Sequence, residues 1–141
     1  NKEVEDLIIW EINSAGILIK IAYEILSGEI AAKNKDYNAA IVHLKKAVEL
    51  EYTLRYDEPP TWFYPCSQNL GAVLIEAGKY AEAEKVYLKN LEDVPENGWS
   101  LFGLHQSVLK QNRIDEAGEI QKRFNEAWKN ADVIVTSSRI M

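Results

Sequence analysis

The sequence predicts an all-α fold, a right-handed α-solenoid of about three helix pairs with one extended inter-repeat loop and a C-terminal tail. Three observations lead to this prediction. Helical apolar patterns fill most of the chain, a set of large, small and turn residues recurs along it, and a proline-rich interval lengthens the recurrence once. The composition is that of a globular protein, since 47% of the 141 residues are hydrophobic and 27% are charged.

The recurrence has a period of 34 residues in the second half of the chain. Residues that match at this spacing are Leu70 with Leu104, Gly78 with Asn112, and Ala83 with Ala117. The same pattern stands 43 positions earlier, where Gly28 matches Gly71 and Tyr37 matches Tyr80. A period of 34 residues built from two helices is the length of a tetratricopeptide repeat. We therefore predict one domain over 1–141, with repeats at about 21–53, 64–97 and 98–130, an inserted loop at 54–63 and a tail at 131–141.

The predicted helices follow in order at 13–34, 37–53, 62–77, 80–93, 97–111 and 114–130. Asn13 is the expected N-cap of the first helix. Gly78 and Asn112 fit the left-handed residue that ends a helix. The prolines of the stretch 54–65 rule out continued helix, and Trp62 to Tyr64 are expected to restart it. The tail is expected to be extended and to cover an exposed repeat face, and residues 3–12 are ambiguous between helix and strand.

Several motifs carry a closer resemblance. "LG" at Leu70, "AGKY" from Ala77 to Tyr80, Tyr87 and Pro95 stand at typical tetratricopeptide-repeat positions. With "RYDEPPTWFYP", "PENGWSLFGLHQSVLKQNR" and "AWKNADV", the chain resembles the C-terminal region of a family of long bacterial tetratricopeptide-repeat proteins. The resemblance covers nearly the whole chain. It implies further helices upstream, so that this chain is expected to be a C-terminal fragment, and it implies no settled biochemical activity.

Charge and composition exclude several classes of partner. The chain has 22 acidic and 16 basic residues, a net charge of −6, and no basic cluster, so nucleic acid is not an expected partner. The longest apolar run is interrupted by Glu11, Lys20 and Glu24, so no membrane span is expected. The compartment and the oligomeric state stay open, with the cytoplasm favoured.

The inner face of the array is the first candidate site. In this architecture the first helix of each pair lines that face, and the candidate residues are Gln68, Ile75, Trp99, Phe102, Gln106 and Lys110. Trp99 and Phe102 suit an extended peptide or an aliphatic anchor. The alternative is that the tail or the inserted loop covers these two aromatics. The expected function is a protein-interaction or scaffold module that binds a protein or peptide there or docks onto upstream helices; the other interpretation is a structural cap without a ligand.

The inserted loop is the second candidate, with Asp57, Glu58, Trp62 and Tyr64 as its residues. Paired carboxylates can bind a cation or act as acid and base, which would make the chain an accessory domain of a larger enzyme. The favoured interpretation is that Asp57 and Glu58 either cap the next helix or form an ordinary turn before the prolines, in an ordered loop packed on the array.

No catalytic or metal site is predicted, and no cofactor. His43 and His105 lie on different helices without metal-ligand spacing, and His105 is expected to be buried and hydrogen-bonded. The single cysteine, Cys66, cannot form an internal disulfide. It lies near a helix N-terminus, where a thiol pKa can fall, but no histidine is nearby in sequence to act as its base.

Overall fold

A computed structural model of the chain describes residues 5–9 and 12–139. Within these residues the chain forms six helices: α1 (Ala15–Lys33), α2 (Tyr37–Glu51), α3 (Cys66–Glu76), α4 (Tyr80–Asp93), α5 (Gly98–Lys110) and α6 (Ile114–Ala127). A short antiparallel ribbon, β1 (Ile8–Ile9) with β2 (Asn13–Ser14), precedes α1. The all-α prediction is confirmed in this coarse form, with the ribbon as an addition. Part of the ambiguous segment 3–12 and the last two residues of the tail lie outside the described residues.

Two compact units divide the chain after Cys66. Unit 1 contains the ribbon, α1, α2 and the inserted loop. Unit 2 contains α3 from Ser67 onward, the helices α4 to α6 and the tail. The prediction of one continuous domain stays a prediction.

The turns within the three helix pairs share one backbone geometry. Lys35, Gly78 and Asn112 have φ values of 61°, 73° and 61°, and they stand at the spacings of 43 and 34 residues that the sequence showed. At each turn the next residue donates its N–H to the carbonyl five residues earlier, as in a Schellman motif: Asp36 to Ala31, Lys79 to Leu74, and Arg113 to Val108. The left-handed prediction is confirmed for Gly78 and Asn112, and Lys35 adopts the same conformation although its Cβ disfavours it.

The first helix begins differently from the prediction. Ser14, not Asn13, is the N-cap of α1, and its hydroxyl accepts the N–H of Ile17 at 3.3 Å. Asn13 lies in β2, and its side chain turns to the inserted loop instead. Its amide donates to the carbonyl of Arg55 and to the hydroxyl of Thr61, both at 3.1 Å, and its oxygen accepts the N–H of Arg55 at 2.9 Å. Asn13 therefore fixes the start of the loop.

The third helix begins four residues later than predicted, at Cys66 instead of Trp62. Pro65 explains this, because a residue before proline is disfavoured in the helical conformation, so Tyr64 cannot be a helical residue. The prediction that Asp57 and Glu58 cap this helix is also wrong, since no helix starts beside them. Glu51, at the end of α2, takes that role, and its carboxylate accepts the N–H of Cys66 at 2.9 Å.

The core of unit 1 joins the helix pair to the loop. The fully buried residues Ile21, Ala47 and Cys66 form its centre, and Trp62 of the loop packs against them. Elsewhere in the pair, Gly28 allows α1 to approach α2 closely: a Cβ at Gly28 would lie 2.6 Å from Cγ of Leu44.

A tyrosine fills the centre of unit 2. Tyr87 of α4 is fully buried and passes between Gly71 of α3 and Gly103 of α5. A Cβ would lie 2.3 Å from Cζ of Tyr87 at Gly71 and 2.1 Å from it at Gly103. Gly71 and Tyr87 stand 43 residues after Gly28 and Leu44, so the matching positions make the same kind of contact in both units.

The last helix pair is held by charge and by aromatic packing. Glu84 of α4 accepts hydrogen bonds from Arg113 and Gln111 at the turn between α5 and α6, each as short as 2.7 Å. The rings of Trp99 and Trp128 pack edge to face with centroids 5.3 Å apart. These contacts fix α5, which carries four of the six candidate inner-face residues.

Candidate functional site

A cavity of about 370 Å³ lies in unit 2 between α3, α5 and the tail. Its lining residues are Ala72, Ile75, Glu76, Phe102, Gly103, Gln106 and Thr136 to Ser138. Three of the predicted inner-face residues therefore meet at one place, namely Ile75, Phe102 and Gln106. Phe102 and Gln106 lie one helical turn apart on α5, and Ile75 lines the same cavity from α3.

The tail ends on this face with a buried serine. The Ser138 side chain donates to the backbone carbonyl of Gln68 at 3.1 Å. Its oxygen lies 2.6 Å from the hydroxyl of Tyr87. Since the serine proton points to a carbonyl, which can only accept, the Tyr87 hydroxyl is the donor in the second bond. Ser138 is only 2% exposed, so both bonds are shielded from water.

The next residue of the tail adds a buried charge. The guanidinium of Arg139 forms an ion pair with Glu76 at 2.6 Å. The arginine side chain is 5% exposed and the glutamate side chain 37%. The Arg139 side of the ion pair is therefore shielded from solvent, and the Glu76 side is partly exposed.

The part of the tail before Ser138 is held loosely. The indole of Trp128 donates to the carbonyl of Val133 at 2.8 Å. The side chain of Ile134 is 88% exposed, and Thr136 is exposed as well. The tail thus has one anchor at each end and a solvated stretch between them.

The remaining inner-face candidates lie outside the cavity lining. Gln68 is fully buried, and its amide donates to the side chain of Asn97 at 3.3 Å. Trp99 is half-buried against Trp128, and Lys110 is exposed at the end of α5. The aromatic partners of Trp99 and Phe102 come from α6 and its C-cap: Phe124 packs against Phe102 with ring centroids 5.8 Å apart.

A second cavity, of about 490 Å³, lies in unit 1. It is lined by the inserted loop together with Asn13 and Glu51. Both candidate acids interact with hydroxyl groups of their own loop. Asp57 accepts from Thr61 at 2.8 Å, and Glu58 accepts from the hydroxyl of Tyr56, whose pKa is raised by that bond.

The two aromatic loop candidates differ in their placement. Trp62 lines the cavity and packs on the core of unit 1. Tyr64 is half-buried and is not among the lining residues.

The other titratable groups behave as structural residues. Burial raises the pKa of the Cys66 thiol, assisted by the charge of Glu51, so its place at the helix N-terminus does not lower this pKa. Burial lowers the pKa of His105, which is half-buried. Among the residues that the structure describes, its buried Nδ1 has no hydrogen-bond partner. His43 lies 2.7 Å from Glu24. Among the described residues no group of three or more His, Cys, Asp or Glu is placed to hold a metal ion.

Sequence reasoning missed the polar anchors of the tail. The tail was expected to cover a repeat face, but nothing in the sequence marked Ser138, Arg139 or the hydroxyl of Tyr87 as its contacts. Arg139 and Glu76 are 63 residues apart, and their pairing has no local pattern.

No family model matches the chain, and no curated protein matches it in sequence. In the part of the chain that the structure describes, no helix combines the length and apolar character needed to cross a membrane.

Proposed function

We propose that this chain is a protein-interaction module of the tetratricopeptide type, in which the face formed by α3 and α5 binds an extended peptide. One observation carries the proposal: the C-terminal tail of the chain lies on this face and is bound there by buried polar contacts. Ser138 is held by Gln68 and Tyr87, and Arg139 by Glu76. Residues 136–139 of the tail are bent, and not extended as the sequence predicted. A surface that orders one chain segment through backbone and side-chain bonds has the chemistry to order another.

Two further observations support the solenoid of about three helix pairs. The three intra-pair turns repeat the same left-handed residue and the same Schellman bonds at the sequence spacing of the repeat. The contact of Gly28 with Leu44 recurs as that of Gly71 with Tyr87. Repeated local geometry of this kind is what stacked repeats need, because each repeat must present the same surface to the next.

The proposal is tested by selecting extended peptides on the folded chain and measuring their affinity for variants of the face. Gln106→Lys puts a charge into the cavity at a half-buried position without removing core packing, and Phe102→Ala removes its largest aromatic wall. Trp99→Ala is the matched control, because Trp99 packs against Trp128 outside the cavity lining.

We expect the two cavity variants to lose at least about tenfold in affinity, which is the usual scale for a buried contact residue, and the control to bind like the parent. The proposal would be contradicted if all three variants bound the peptides with the same affinity. It would also be contradicted if no peptide bound the folded chain. Melting curves of the variants separate a loss of binding from a loss of fold.

A second candidate function is docking of another helix on α1. Four large apolar side chains spaced three or four residues apart form a stripe on this helix: Ile19, Tyr23, Leu26 and Ile30 are 54%, 63%, 62% and 55% exposed. Such a stripe is typical of a helix that packs against a partner. The resemblance to longer repeat proteins implies that a preceding helix supplies this partner.

The test compares amide exchange of α1 in this chain and in a longer parent protein. Exchange is expected to slow in the parent, and Leu26→Lys is expected to remove the difference. Val42→Lys, at an exposed position of α2, is the control. If α1 exchanges equally fast in both proteins, helix docking on the stripe is ruled out.

A further inference from the structure

The chemistry of the tail contacts indicates which peptides the α3–α5 face accepts. We propose that this face selects a chain segment with a hydroxyl residue followed directly by a basic residue, and that the tail is an internal competitor that such a peptide must displace. The inference rests on the proposed function, because it takes the face to be a peptide-binding surface. The tail serves as a bound example of the peptide class.

The selection for a hydroxyl comes from the two groups that meet Ser138. The carbonyl of Gln68 can only accept, and the Tyr87 hydroxyl donates to the same serine oxygen. A side chain at this position must therefore donate and accept at one atom, which serine and threonine do. An apolar residue would leave the buried Tyr87 hydroxyl without this partner, and a buried donor without its acceptor is costly.

The selection for a base comes from Glu76. Its carboxylate lies 2.6 Å from the guanidinium of Arg139, in a place where the arginine is nearly shielded from solvent. Because the guanidinium is shielded from water, its attraction to the carboxylate is stronger than it would be between two fully exposed charges. An acidic residue at the second position would meet Glu76 as a like charge, so the face rejects it.

The cavity shows that the tail fits this face incompletely. About 370 Å³ stay open between the tail and the apolar wall that Ile75 and Phe102 form, because the tail presents only the small residues Thr136 to Ser138 there. A peptide with the same serine and arginine but a leucine in place of Thr136 would bury more apolar surface. Such a peptide would bind more tightly than the tail sequence itself.

The tail is also built to be displaced. Between the bond to Trp128 and the buried Ser138, its side chains are largely exposed, and Ile134 is 88% exposed. Segments with few buried apolar contacts open at low free energy. The tail competes chiefly because it is covalently attached, which gives it an effective concentration of about millimolar.

The experiment uses a labelled, amidated peptide with the sequence of residues 131–139, ADVIVTSSR, titrated by fluorescence anisotropy against the full chain. Arg139→Glu in the chain places a like charge against Glu76 and releases the tail, while Glu76 stays available to the peptide. We expect this variant to bind the peptide at least about tenfold more tightly than the parent does. Arg123→Glu is the matched control, because Arg123 pairs with Glu96 on an exposed surface, and it should bind like the parent.

Selectivity is tested on the released variant with three altered peptides. The peptide carrying Thr136→Leu should bind more tightly, and those carrying Ser138→Ala or Arg139→Glu should bind at least about tenfold more weakly. Adding Glu76→Arg to Arg139→Glu in the chain should restore docking of the tail and abolish binding of the basic peptide. Slow amide exchange of residues 135–139 in this double variant reports the restored docking.

Two outcomes overturn the inference: equal affinity of the parent and the Arg139→Glu variant for the peptide, or equal binding of the basic and acidic peptides. If peptides selected on the face still bind and are blocked by Gln106→Lys, the proposed function stands and only this inference falls. If no peptide binds the parent or the released variant, both fall. Should Arg139→Glu fail to fold, Ser138→Ala in the chain releases the tail without a new charge.

Discussion

The passage of Tyr87 between two glycines makes the stability of unit 2 sensitive to a single methyl group. Gly71→Ala would place a Cβ 2.3 Å from Cζ of Tyr87. The ring cannot retreat, because the backbone of Gly103 stands on its other side, where a Cβ would lie 2.1 Å from the same atom. The substitution therefore forces a shift of a helix or of the buried ring.

The change in the free energy of unfolding caused by Gly71→Ala is the sum of two opposed effects. Overpacking of a filled core costs about 1–3 kcal/mol, and a ring confined on both sides belongs near the upper end of that range. Replacing glycine by alanine within a helix contributes about 0.5–1 kcal/mol in the other direction. We expect Gly71→Ala to lower the free energy of unfolding by about 2 kcal/mol. Gly118→Ala should instead raise it by about 0.5–1 kcal/mol, because Gly118 lies in α6 with no atom within 4 Å of an added Cβ.

The assay is urea unfolding, followed by circular dichroism and tryptophan fluorescence, in a double-mutant cycle with Tyr87→Leu. Leucine lacks the Cζ, Cε1 and hydroxyl atoms that the new Cβ would meet, so Gly71→Ala should become stabilising in that background. The coupling free energy is then about 2–3 kcal/mol. A stabilising Gly71→Ala in the parent, or the same cost in both backgrounds, would refute the packing argument.

Three further predictions concern single side chains. Lys35→Gly should raise the free energy of unfolding by about 0.5–1 kcal/mol, because Lys35 has a left-handed φ of 61°. The control, Lys20→Gly in the interior of α1, should lower the free energy of unfolding by about 1 kcal/mol. A loss of stability in Lys35→Gly would argue against this turn geometry. At neutral pH a thiol reagent should react with Cys66 more than about 100-fold more slowly in the folded chain than in the chain unfolded by urea. The reason is that the thiol is buried and its pKa is raised. Rapid labelling of the folded chain would contradict this burial. Partial burial is the largest single effect on the pKa of Glu84 and raises it, but the hydrogen bonds from Arg113 and Gln111 and the charge of Arg113 together lower this pKa below the ordinary value of 4.5. Glu84→Gln should therefore cost about 1 kcal/mol at pH 7. That cost should shrink as the pH falls below 4.5 through the folded-state pKa, because the stability that a depressed carboxyl pKa supplies is lost on protonation. Thermal melts of the parent and the variant at pH 7 and pH 3.5 measure the cost. A cost independent of pH would contradict the ion pair.

The helix pairs could be predicted from the sequence because their signals are local. Gly78 and Asn112 mark left-handed turns by residue type, and the recurrence of apolar and small positions gave the period. Lys35 was missed at the equivalent turn, since lysine carries no such signal and the tertiary contacts of the pair impose the conformation. The start of α3 was predicted too early because the aromatic run from Trp62 to Tyr64 resembles a helical sequence pattern. Pro65 already disfavoured a helical conformation at Tyr64.

The candidate face was predictable only in part. The phase of α3 and α5 was enough to bring Ile75, Phe102 and Gln106 to one side, because helical periodicity fixes which residues share a face. The pairing of Arg139 with Glu76 was out of reach, since the chain has 22 acidic residues and no local rule selects one of them. The hydroxyl of Tyr87 was hidden in the same way, because a residue aligned with Leu44 was expected to contribute only packing.

The solvated middle of the tail has a consequence for proteolysis. Residues 133 and 134 are exposed between the bond to Trp128 and the buried Ser138, and exposed, weakly packed segments are the preferred sites of cleavage. A single cut there would leave the segment that begins at residue 135 on the face without a covalent link. The local concentration of the segment would then fall from about millimolar to that of a free peptide in the surrounding solution. One broken peptide bond would turn a reversible competitor into a fragment that diffuses away, and the face would stay open for the life of the molecule.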